Sequence, residues 1–473
     1  MKKIEFGTGG FRGVICDSFN KDNIRLIAQA LSNVIKKRKS KTPVVIGYDY
    51  RFMSDRAALW MSEVLAGNHI QVLLSNAATP TPAVMYLTKE MENDFGAMIT
   101  ASHNPYDFNG IKLFQEKGMD ADVNLTNEIE NEINKIRKIK LIRHYEEDYN
   151  KYVEEINFID QYVENIQSFI SDKVKNSDIK VLFDAFYGTG SITLDRFAKN
   201  MNLKNYKSIH NTHDTMFGGL LPNPTLANML TLKDKVIKGG YDVAFGIDSD
   251  GDRLGVLDEN GNYVNSNEIL ACLYYYLVKY RNQKGDAVKN LATSNLVDKV
   301  AEAFGYKCYE VDVGFKNISS KIMEVDALIG GESSGGLTVR NYIFGKDSTF
   351  AAALFIEMIV VMNKKVSEII QEVKEFSCFN HVIVEKSLNY YEEVDIYSYL
   401  KENIPSFEKE PIEVQRINKN IKFIFENDSW VLLRVSGTEP VLRVFIEMPT
   451  QEDVDSYLKS INDFIENMEG VCV

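Results

Sequence analysis

The chain contains 473 residues, of which 45% are hydrophobic and 26% are charged, and its formal net charge is −13. At ~150 residues per domain, this length predicts about three domains, with four possible. The acidic excess excludes a general affinity for nucleic acid, which needs clustered lysine and arginine, so an anionic ligand would need a local set of basic groups.

Short apolar runs alternate with longer amphipathic segments in the first part of the chain. Apolar residues at helical spacing predict helices, and short apolar runs predict buried strands. The predicted helices cover 22–39 and 57–67, and the predicted strands cover 43–48, 70–74 and 95–100. Short strands separated by longer helices predict a parallel sheet with helices on both faces.

The same alternation recurs in two further units. In the second unit, strands are predicted at 180–183 and 243–247, with a helix near 192–200. In the third unit, strands are predicted at 291–294, 308–311 and 327–329, together with a long helix at 348–362. The sequence therefore predicts two more α/β units of the first kind.

The pattern of the sequence changes after Phe376, where predicted strands follow one another with few residues between them. They are predicted at 381–385, 421–425, 431–435 and 441–447, before a helix at 451–466. Such runs of strands flanked by helices predict a smaller α+β domain. We expect four domains, with boundaries at 1–158, 159–262, 263–375 and 376–473.

Cysteine usage and the apolar segments indicate the compartment. The five cysteines are scattered and form no C-x-x-C pair, which favours reduced thiols in the cytoplasm. Glu5 and nearby glycines interrupt any apolar run at the N-terminus, so we expect no signal peptide. The apolar stretch 351–362 contains Glu357 and is too short to span a bilayer, so we expect no membrane association.

The first motif with chemical content is Thr-Ala-Ser-His-Asn-Pro at residues 100–105, directly after a predicted strand. Ligands of open α/β sheets bind beyond the carboxyl ends of the strands, where Ser102 would lie. Asn104 and Pro105 prevent a helix from starting immediately and leave the serine on a turn. The spacing differs from G-x-S-x-G and does not support a hydrolase nucleophile elbow.

The second motif contains Asp248, Asp250 and Asp252 on a glycine-containing loop, again after a predicted strand. Three carboxylates at this spacing can converge on a hard divalent cation such as magnesium, calcium or manganese. An EF-hand loop starting at Asp248 would place Glu259 at its twelfth position, but its sixth position requires glycine and is Arg253 here. A solvated acidic turn is the remaining alternative.

Three glycine-containing loops complete the set. Residues 330–336 read Gly-Gly-Glu-Ser-Ser-Gly-Gly, in which Glu332 and Ser334 can bond adjacent sugar hydroxyls. Arg434 and Arg443 flank the turn Ser-Gly-Thr at 436–438, where backbone amides and guanidinium groups can hold a phosphate. Arg12 lies among glycines near the N-terminus. Taken singly, each of these loops also fits an ordinary turn.

Together, and in this order, the motifs resemble the α-D-phosphohexomutase family of phosphoglucomutases, phosphomannomutases and phosphoglucosamine mutases. The resemblance implies three related α/β domains and a smaller C-terminal domain around a central cleft. It also implies that a hexose 1-phosphate and a hexose 6-phosphate are interconverted through a phosphoserine and a hexose 1,6-bisphosphate, which acts as activator. The substrate would be a hexose phosphate, and the protein a monomer or homodimer.

The resemblance also implies roles for individual residues. Ser102 would carry the phosphoryl group, and one Mg²⁺ per chain would be bound by Asp248, Asp250, Asp252 and a phosphate oxygen on Ser102. Sugar hydroxyls would contact Glu332 and Ser334. The remaining phosphate would be held by Arg434, Ser436, Gly437, Thr438 and Arg443. Arg12, Arg253 and Lys316, with the metal, can stabilise the transferring group, and the base is His103 or Lys112.

One position departs from many relatives, and it bears on the choice of sugar. Phosphomannomutase-type members have a histidine after the second glycine of the sugar loop, whereas this chain has Gly336. A base role for that histidine cannot be transferred to this chain. The Gly-Gly ending and the segment Gly314-Phe315-Lys316 are more similar to the phosphoglucomutase branch, so glucose phosphate is favoured, with mannose and glucosamine phosphates open.

Two other classes of function compete with a mutase. A phosphatase-like hydrolase would use Ser102 and the metal but pass the phosphate to water, and it would not need the distant arginine pair Arg434 and Arg443. A non-catalytic sugar-phosphate-binding protein would not need an intact nucleophile and three intact aspartates.

Overall fold

The structure is a computed structural model that describes residues 4–7, 9–390, 396–435 and 441–469. Within these ranges the strands form four sheets, which define the first to fourth domains in chain order. No helix in these ranges combines the length and the apolar character needed to cross a bilayer. The expected α/β class with a smaller C-terminal α+β domain is confirmed.

The first domain is an open sheet between helices. Its elements are β1 (Phe11–Val14), α1 (Lys21–Arg38), β2 (Val44–Tyr48), α2 (Ser54–Gly67), β3 (Val72–Ser75), α3 (Thr81–Glu90), β4 (Phe95–Ile99), β5 (Phe108–Gln115), β6 (Met119–Asp120), α4 (Val123–Ile133) and β7 (Val153–Ile156). Strands β4, β2, β3 and β7 are parallel, β5 is antiparallel to β4, and β1 is antiparallel to β5. The predicted helices and strands of this unit are confirmed to within a few residues.

Local sequence explains where α1 begins and ends. The Asn20 side chain accepts a hydrogen bond from the Asn23 amide at 3.0 Å and caps the first turn. Basic side chains occupy the last turn, where they complement the helix dipole, and Lys39 ends the helix in a left-handed conformation. The apolar residues on the helix pack against α2 and one face of the sheet.

The second domain has a five-stranded sheet. Its elements are α5 (Ile159–Phe169), β8 (Val181–Asp184), α6 (Gly190–Asn200), β9 (Tyr206–Ile209), α7 (Leu226–Leu230), α8 (Lys233–Gly239), β10 (Val243–Ile247), β11 (Leu254–Leu257) and β12 (Tyr263–Val264). The order is β12-β11-β10-β8-β9, with β10, β8 and β9 parallel. The acidic loop therefore leaves the carboxyl end of a parallel strand and returns as the antiparallel strand β11.

The third domain repeats the plan with four strands. Its elements are α9 (Ser266–Lys279), β13 (Ala287–Asn290), α10 (Leu296–Phe304), β14 (Cys308–Val311), α11 (Phe315–Val325), β15 (Ile329–Gly331), β16 (Leu337–Val339), α12 (Ser348–Met362) and α13 (Val366–Ser377). The strand predicted at 291–294 is wrong, because these residues form a turn after β13. The strand predicted at 327–329 lies two residues later, as β15.

The fourth domain is an antiparallel sheet covered by helices. Its elements are β17 (Val382–Asn389), α14 (Ile396–Glu402), β18 (Glu413–Ile417), β19 (Asn420–Ile424), β20 (Trp430–Val435), β21 (Val441–Met448) and α15 (Gln451–Glu469). The strand order is β17-β21-β20-β19-β18. One face of this sheet forms a core of its own with α14 and α15.

The first three domains share one continuous apolar core. Helix α12 is apolar on nearly every side and lies inside this core, as expected for a helix with no solvent-facing surface. It begins at Asp347, whose carboxylate accepts the Phe350 amide at 2.9 Å. The predicted helix at 348–362 is confirmed at both ends.

The fourth domain meets the third through a separate contact. Trp430, Leu432 and Phe445 cover Leu291 and Ala292, which follow β13. Beside this apolar contact, charged and amide side chains pair across the interface, including Lys422 with Glu310 at 2.5 Å. This mixture of apolar and polar contacts is typical of an interface between domains.

Candidate active site

Ser102 lies at the carboxyl end of β4, on the turn that connects β4 to β5. Its side chain is buried, and its Oγ donates a hydrogen bond to Asp248 Oδ2 at 2.9 Å. Its backbone has φ 51°, in the left-handed region that non-glycine residues rarely adopt. The first and second domains therefore meet at this hydroxyl.

The backbone of the serine turn is held by Arg51, which follows β2. Parallel pairing of β2 with β4 places the ends of both strands side by side. The Arg51 guanidinium donates to the carbonyl oxygens of Ser102, Asn104, Pro105 and Phe108. Sequence reasoning missed Arg51, which has no feature that separates it from a surface arginine.

The three aspartates of the acidic loop converge, as the second motif predicted. Candidate ligand oxygens of Asp248, Asp250 and Asp252 all lie within 4.8 Å of one another, and the three side chains are buried. The amides of Asp252 and Arg253 donate to Asp248 Oδ1 at 2.9 and 3.0 Å, which fixes one edge of the cluster. The flanking elements are strands, so the loop is not an EF-hand.

Neighbouring domains hold the acidic loop from both sides. The Thr81 amide, at the start of α3, donates to the carbonyl of Asp250 at 2.8 Å. From the third domain, Ser348 Oγ donates to the carbonyl of Gly251 at 2.6 Å. Gly251 has φ 78°, and a Cβ there would lie 2.8 Å from Pro80, so the close approach requires glycine.

Two lysines neutralise part of the acidic cluster. Lys112 Nζ donates to Asp250 Oδ2 at 2.6 Å and to Asp252 Oδ2 at 2.7 Å. Burial opposes the charged form of Lys112, but the two carboxylates outweigh it and raise its pKa above the ordinary value. Lys346 Nζ lies 3.1 Å from Asp252 Oδ2.

The cluster retains oxygens suited to a cation. Asp250 Oδ1 and Asp252 Oδ1 are buried and accept no hydrogen bond from the described residues. Burial, with repulsion from Asp252 and Asp250, raises the pKa of Asp248 well above its ordinary value. Buried carboxylate oxygens without a hydrogen bond, crowded by like charges that a cation would offset, fit a divalent cation with oxygen ligands, and Mg²⁺ is such an ion.

His103 and Arg12 lie on the other side of Ser102. His103 Nδ1 is 3.3 Å from Ser102 Oγ. Burial and the nearby cations Arg253 and Arg12 lower the pKa of His103 far below its ordinary value, so its ring is neutral. Arg12 lies in strand β1 and donates to Asn104 Oδ1, which places it beside the serine turn.

The sugar-loop candidates lie in the third domain, close to the acidic loop of the second. Glu332 Oε1 accepts a hydrogen bond from Ser334 Oγ at 2.6 Å, and Asn290 Nδ2 donates to Glu332 Oε2 at 3.2 Å. Lys346 Nζ lies 3.9 Å from Glu332 Oε1 and so bridges the sugar loop and the acidic loop. Sequence reasoning missed Lys346, although the sequence Gly-Lys-Asp-Ser before α12 marks a helix start.

Gly336 explains how Lys346 reaches this position. A Cβ at residue 336 would overlap the side-chain carbons of Lys346, including Cδ and Cγ. A larger residue at 336 would therefore displace the lysine stem. The departure from the family pattern that was noted in the sequence thus has a structural counterpart in the path of Lys346.

The arginine pair lies on the adjacent strands β20 and β21. Arg434 and Arg443 are directly opposite cross-strand partners. Burial and the nearby Arg443 lower the pKa of Arg434, as expected for two cations held together. Arg443 Nη1 lies 3.7 Å from Glu385 Oε1. The predicted Ser436, Gly437 and Thr438 lie outside the described residues.

Arg253 lies beside the acidic loop, whereas nothing in the described residues joins Lys316 to it. Arg253 follows the acidic loop, and its buried Nε has no hydrogen-bond partner among the described residues. Lys316 lies in the first turn of α11, after Gly314. Within the described part of the chain, no hydrogen bond or ion pair joins the Lys316 ammonium to the other predicted site residues.

Four family profiles match successive parts of the chain. They are described as phosphoglucomutase/phosphomannomutase alpha/beta/alpha domains I, II and III, at residues 3–140, 160–261 and 265–376, and as the C-terminal domain, at residues 399–464. The matches follow the order of the four sheets.

Individual relatives match over nearly the full length. A phosphoglucomutase/phosphomannomutase of Thermococcus kodakarensis is 28% identical, covering 96% of both chains. A protein assigned as a phosphoglucosamine mutase in Methanosphaera stadtmanae is 30% identical, covering 99% of this chain and 100% of the relative. A crystal structure assigned as a phosphomannomutase of Thermus thermophilus superposes with a TM-score of 0.85 at 26% identity, covering 98% of this chain and 99% of that one.

Proposed function

Because the chain belongs to the phosphoglucomutase/phosphomannomutase family of α-D-phosphohexomutases, we propose that it interconverts hexose 1-phosphate and hexose 6-phosphate through phospho-Ser102. The observation that carries the proposal is the 2.9 Å hydrogen bond from Ser102 Oγ to Asp248 Oδ2. It puts a buried nucleophile against a carboxylate cluster suited to a divalent ion. Each domain would contribute one cleft loop, within boundaries at 1–158, 159–262, 263–375 and 376–473.

The proposed reaction consists of two phosphoryl transfers. In the first, the free hydroxyl oxygen of a hexose monophosphate attacks the phosphorus of phospho-Ser102, the P–Oγ bond breaks, and the hydroxyl proton passes to a base. The product is a hexose 1,6-bisphosphate. After this intermediate turns around, Ser102 Oγ attacks the phosphorus of its other phosphate, the bond from that phosphorus to the sugar oxygen breaks, and the base returns its proton to the sugar oxygen. The enzyme thereby recovers its phosphoserine.

Asp248, Asp250 and Asp252 would hold one Mg²⁺, together with an oxygen of the phosphoserine. When bound, the ion would supply positive charge close to the transferring group. Arg12 and Arg253 add fixed positive charge from the protein, which suits a transition state whose charge lies on the phosphoryl oxygens. We extend the same role to Lys316.

We propose His103, rather than Lys112, as the base. A base must be unprotonated, and the ammonium of Lys112 is held by two carboxylates that favour its charged form. His103 Nδ1 lies 3.3 Å from Ser102 Oγ, within reach of the proton of an incoming hydroxyl. In this proposal Lys112 instead holds Asp250 and Asp252 in place.

A second phosphate site is required because the bisphosphate must be held at one end while the other end reacts. We propose Arg434 and Arg443 for this site, with Ser436, Gly437 and Thr438 on the turn between them. Their cross-strand pairing points to one site for one dianion. Glu332 and Ser334 would bond the sugar hydroxyls between the two phosphate positions.

Three sugars are supported by different observations. The Gly-Gly ending at Gly336, which is similar to the phosphoglucomutase branch, supports the glucose phosphate preference predicted from the sequence. The Methanosphaera stadtmanae relative, assigned as a phosphoglucosamine mutase, supports glucosamine phosphate equally. Mannose phosphate is a third candidate, supported by the name of the Thermococcus relative. A cytoplasmic location and a monomeric or homodimeric state remain predictions.

The test is a comparison of turnover on glucose, mannose and glucosamine 1-phosphates with Mg²⁺ and added hexose 1,6-bisphosphate. We expect the corresponding 6-phosphate to form, without stoichiometric release of inorganic phosphate. Release of inorganic phosphate with no isomerised product would instead support a phosphatase. Binding of sugar phosphate without either product would support a non-catalytic binding protein.

A further inference from the structure

The carbonyl oxygens of the serine turn are held by one buried cation. Arg51 Nη1 donates to Pro105 at 2.7 Å and to Phe108 at 3.0 Å, and its Nη2 donates to Asn104 at 2.6 Å and to Ser102. These acceptors span the whole turn from the nucleophile to the start of β5. Because one planar guanidinium makes all of these bonds, the turn cannot change shape without breaking several of them.

Asp49 also contacts the same guanidinium. Arg51 Nε lies 3.6 Å from Asp49 Oδ2, and the Arg51 amide donates to Asp49 Oδ1 at 3.0 Å. Asp49 also accepts from Thr100 Oγ1 at 2.6 Å, and Thr100 Oγ1 in turn accepts from the Ser102 amide at 2.8 Å. The network therefore holds Ser102 through both its amide and its carbonyl group.

Two residues of the second domain also contact this network. The Arg51 guanidinium carbon lies 4.9 Å from the centre of the buried Phe217 ring, which stacks as a cation–π partner. Ser249, in the acidic loop, donates from its Oγ to the same Ser102 carbonyl. Arg51 thus sits where the serine turn, the acidic loop and the segment carrying Phe217 meet.

We propose that Arg51 is a positioning residue for phosphoryl transfer, which fixes Ser102 in its left-handed backbone conformation and aims Oγ at the acidic cluster. Arg51 reaches the reacting atoms through the turn and takes no part in binding the sugar. The inference rests on the proposed function. Ser102 is only 1% exposed in the turn that Arg51 holds, so release of the turn should open the serine to water.

Removing the guanidinium should therefore release the turn and affect chemistry more than binding. For Arg51→Ala and Arg51→Lys we expect kcat to fall about 100-fold, because misplacement by about 1 Å can cost that factor. KM should stay within about twofold, since the proposed sugar contacts and the proposed site for the non-reacting phosphate lie on the third and fourth domains. The ammonium of a lysine on its flexible stem cannot reproduce the planar set of hydrogen bonds, so Arg51→Lys should not retain the wild-type kcat.

Two further readouts separate positioning from general stability. After phosphorylation with hexose 1,6-bisphosphate, phospho-Ser102 in the variants should lose phosphate to water faster than in the wild type. Guanidinium ion at non-denaturing concentration should restore part of the kcat of Arg51→Ala, whereas urea should not. Phe217→Leu, which removes the stacking but none of the bonds, should lower kcat by a smaller factor with KM unchanged.

Arg25→Ala is the matched control, because it also removes a buried arginine of the first domain, paired with Glu63 at 2.7 Å. It should lower thermal stability and leave kcat and phosphoserine lifetime unchanged. Failure of the wild type to isomerise would overturn the proposed function. If the wild type is active and Arg51→Lys keeps the kcat and the phosphoserine lifetime of the wild type, this inference is overturned and the proposed function is not. If Arg51→Ala does not fold, Arg51→Lys and Phe217→Leu decide by the same criteria.

Discussion

Gly336 and Lys346 share one space in the cleft: the lysine stem occupies the volume that a side chain at residue 336 would fill. Lys346 reaches Asp252 and Glu332 through this space. The absence of a side chain at residue 336 therefore permits a cation that bridges the sugar-loop candidates and the acidic loop.

We expect Gly336→His to displace Lys346 and lower kcat about 10- to 100-fold, the value of a hydrogen bond to a charged group. Lys346→Ala should have a similar effect. The double variant Gly336→His/Lys346→Ala should be little worse than either single variant, because both changes remove the same contact. Additive losses, measured as kcat/KM on glucose 1-phosphate, would contradict the shared-space argument.

Ser102→Ala should bind substrate and lose nearly all turnover. We expect kcat to fall at least about 10³-fold, as for removal of a covalent nucleophile, while glucose 1-phosphate affinity measured by calorimetry changes little. Ser168→Ala, an exposed serine in α5, is the control and should match the wild type. Substantial mutase activity in Ser102→Ala would reject the phosphoserine.

Mg²⁺ should stabilise the wild type in proportion to its occupancy. At 100 times the dissociation constant, a ligand that binds only the folded state adds about 2.7 kcal/mol, which is visible as a rise in Tm. Asp250→Asn should abolish most of this rise, because it removes the charge of one proposed ligand. An equal rise in Tm in both proteins would show that the ion binds elsewhere.

Arg434→Gln and Arg443→Gln should raise KM and lower kcat, because the far phosphate both anchors the sugar and orients the reacting end. We expect kcat/KM to fall about 10- to 100-fold for each. Arg416→Gln, on the exposed strand β18 of the same domain, is the control. An unchanged KM in both variants would remove the proposed phosphate site.

Asp347 should make stability depend on pH. Burial raises the pKa of Asp347 to about 6 from 3.8, against the hydrogen bonds from the Phe350 amide and two tyrosines. Because the folded state binds this proton more tightly, the contribution is fully present below about pH 4 and is lost as the pH rises through 6. A shift of about two pKa units corresponds to ~3 kcal/mol.

Asp347→Asn cannot lose that proton. Its stability relative to the wild type, from urea unfolding, should therefore increase between pH 4.5 and pH 7.5. Asp234→Asn, at an exposed ion pair in α8, should show no such trend. A difference between Asp347→Asn and the wild type that does not vary with pH would contradict the assignment.

Contiguous motifs after strands were predictable from the sequence. Ser102 lies in one loop and the three aspartates lie in another, and each loop follows the carboxyl end of a strand. The local sequence pattern was therefore enough to predict the edge of the sheet at which each loop lies. Arg51 and Lys346 were missed because nothing in their local sequence reports the partner they reach in space.

The misplaced strand at 291–294 shows why apolarity can mislead. The actual strand β13 contains Lys289 and Asn290, which are buried, and Lys289 is stabilised by Asp298 at 2.6 Å. The apolar residues Leu291 and Ala292 lie in the following turn, where Trp430 of the fourth domain covers them. These residues are apolar because they contact another domain. Local periodicity cannot distinguish such residues from those of a buried strand.

The loop of three aspartates belongs to the second domain, yet Thr81 and Ser348 of its neighbours hold its carbonyl groups. A second domain taken from a distant relative would therefore have to match the helix starts at Thr81 and Ser348 in the two neighbouring domains. The fourth domain keeps its own core, and its apolar contact among the described residues is with the third domain, so a chimera that exchanges it alone would have to preserve that surface. Recombination among relatives is constrained unequally along the chain, tightly through the first three domains and loosely at the fourth.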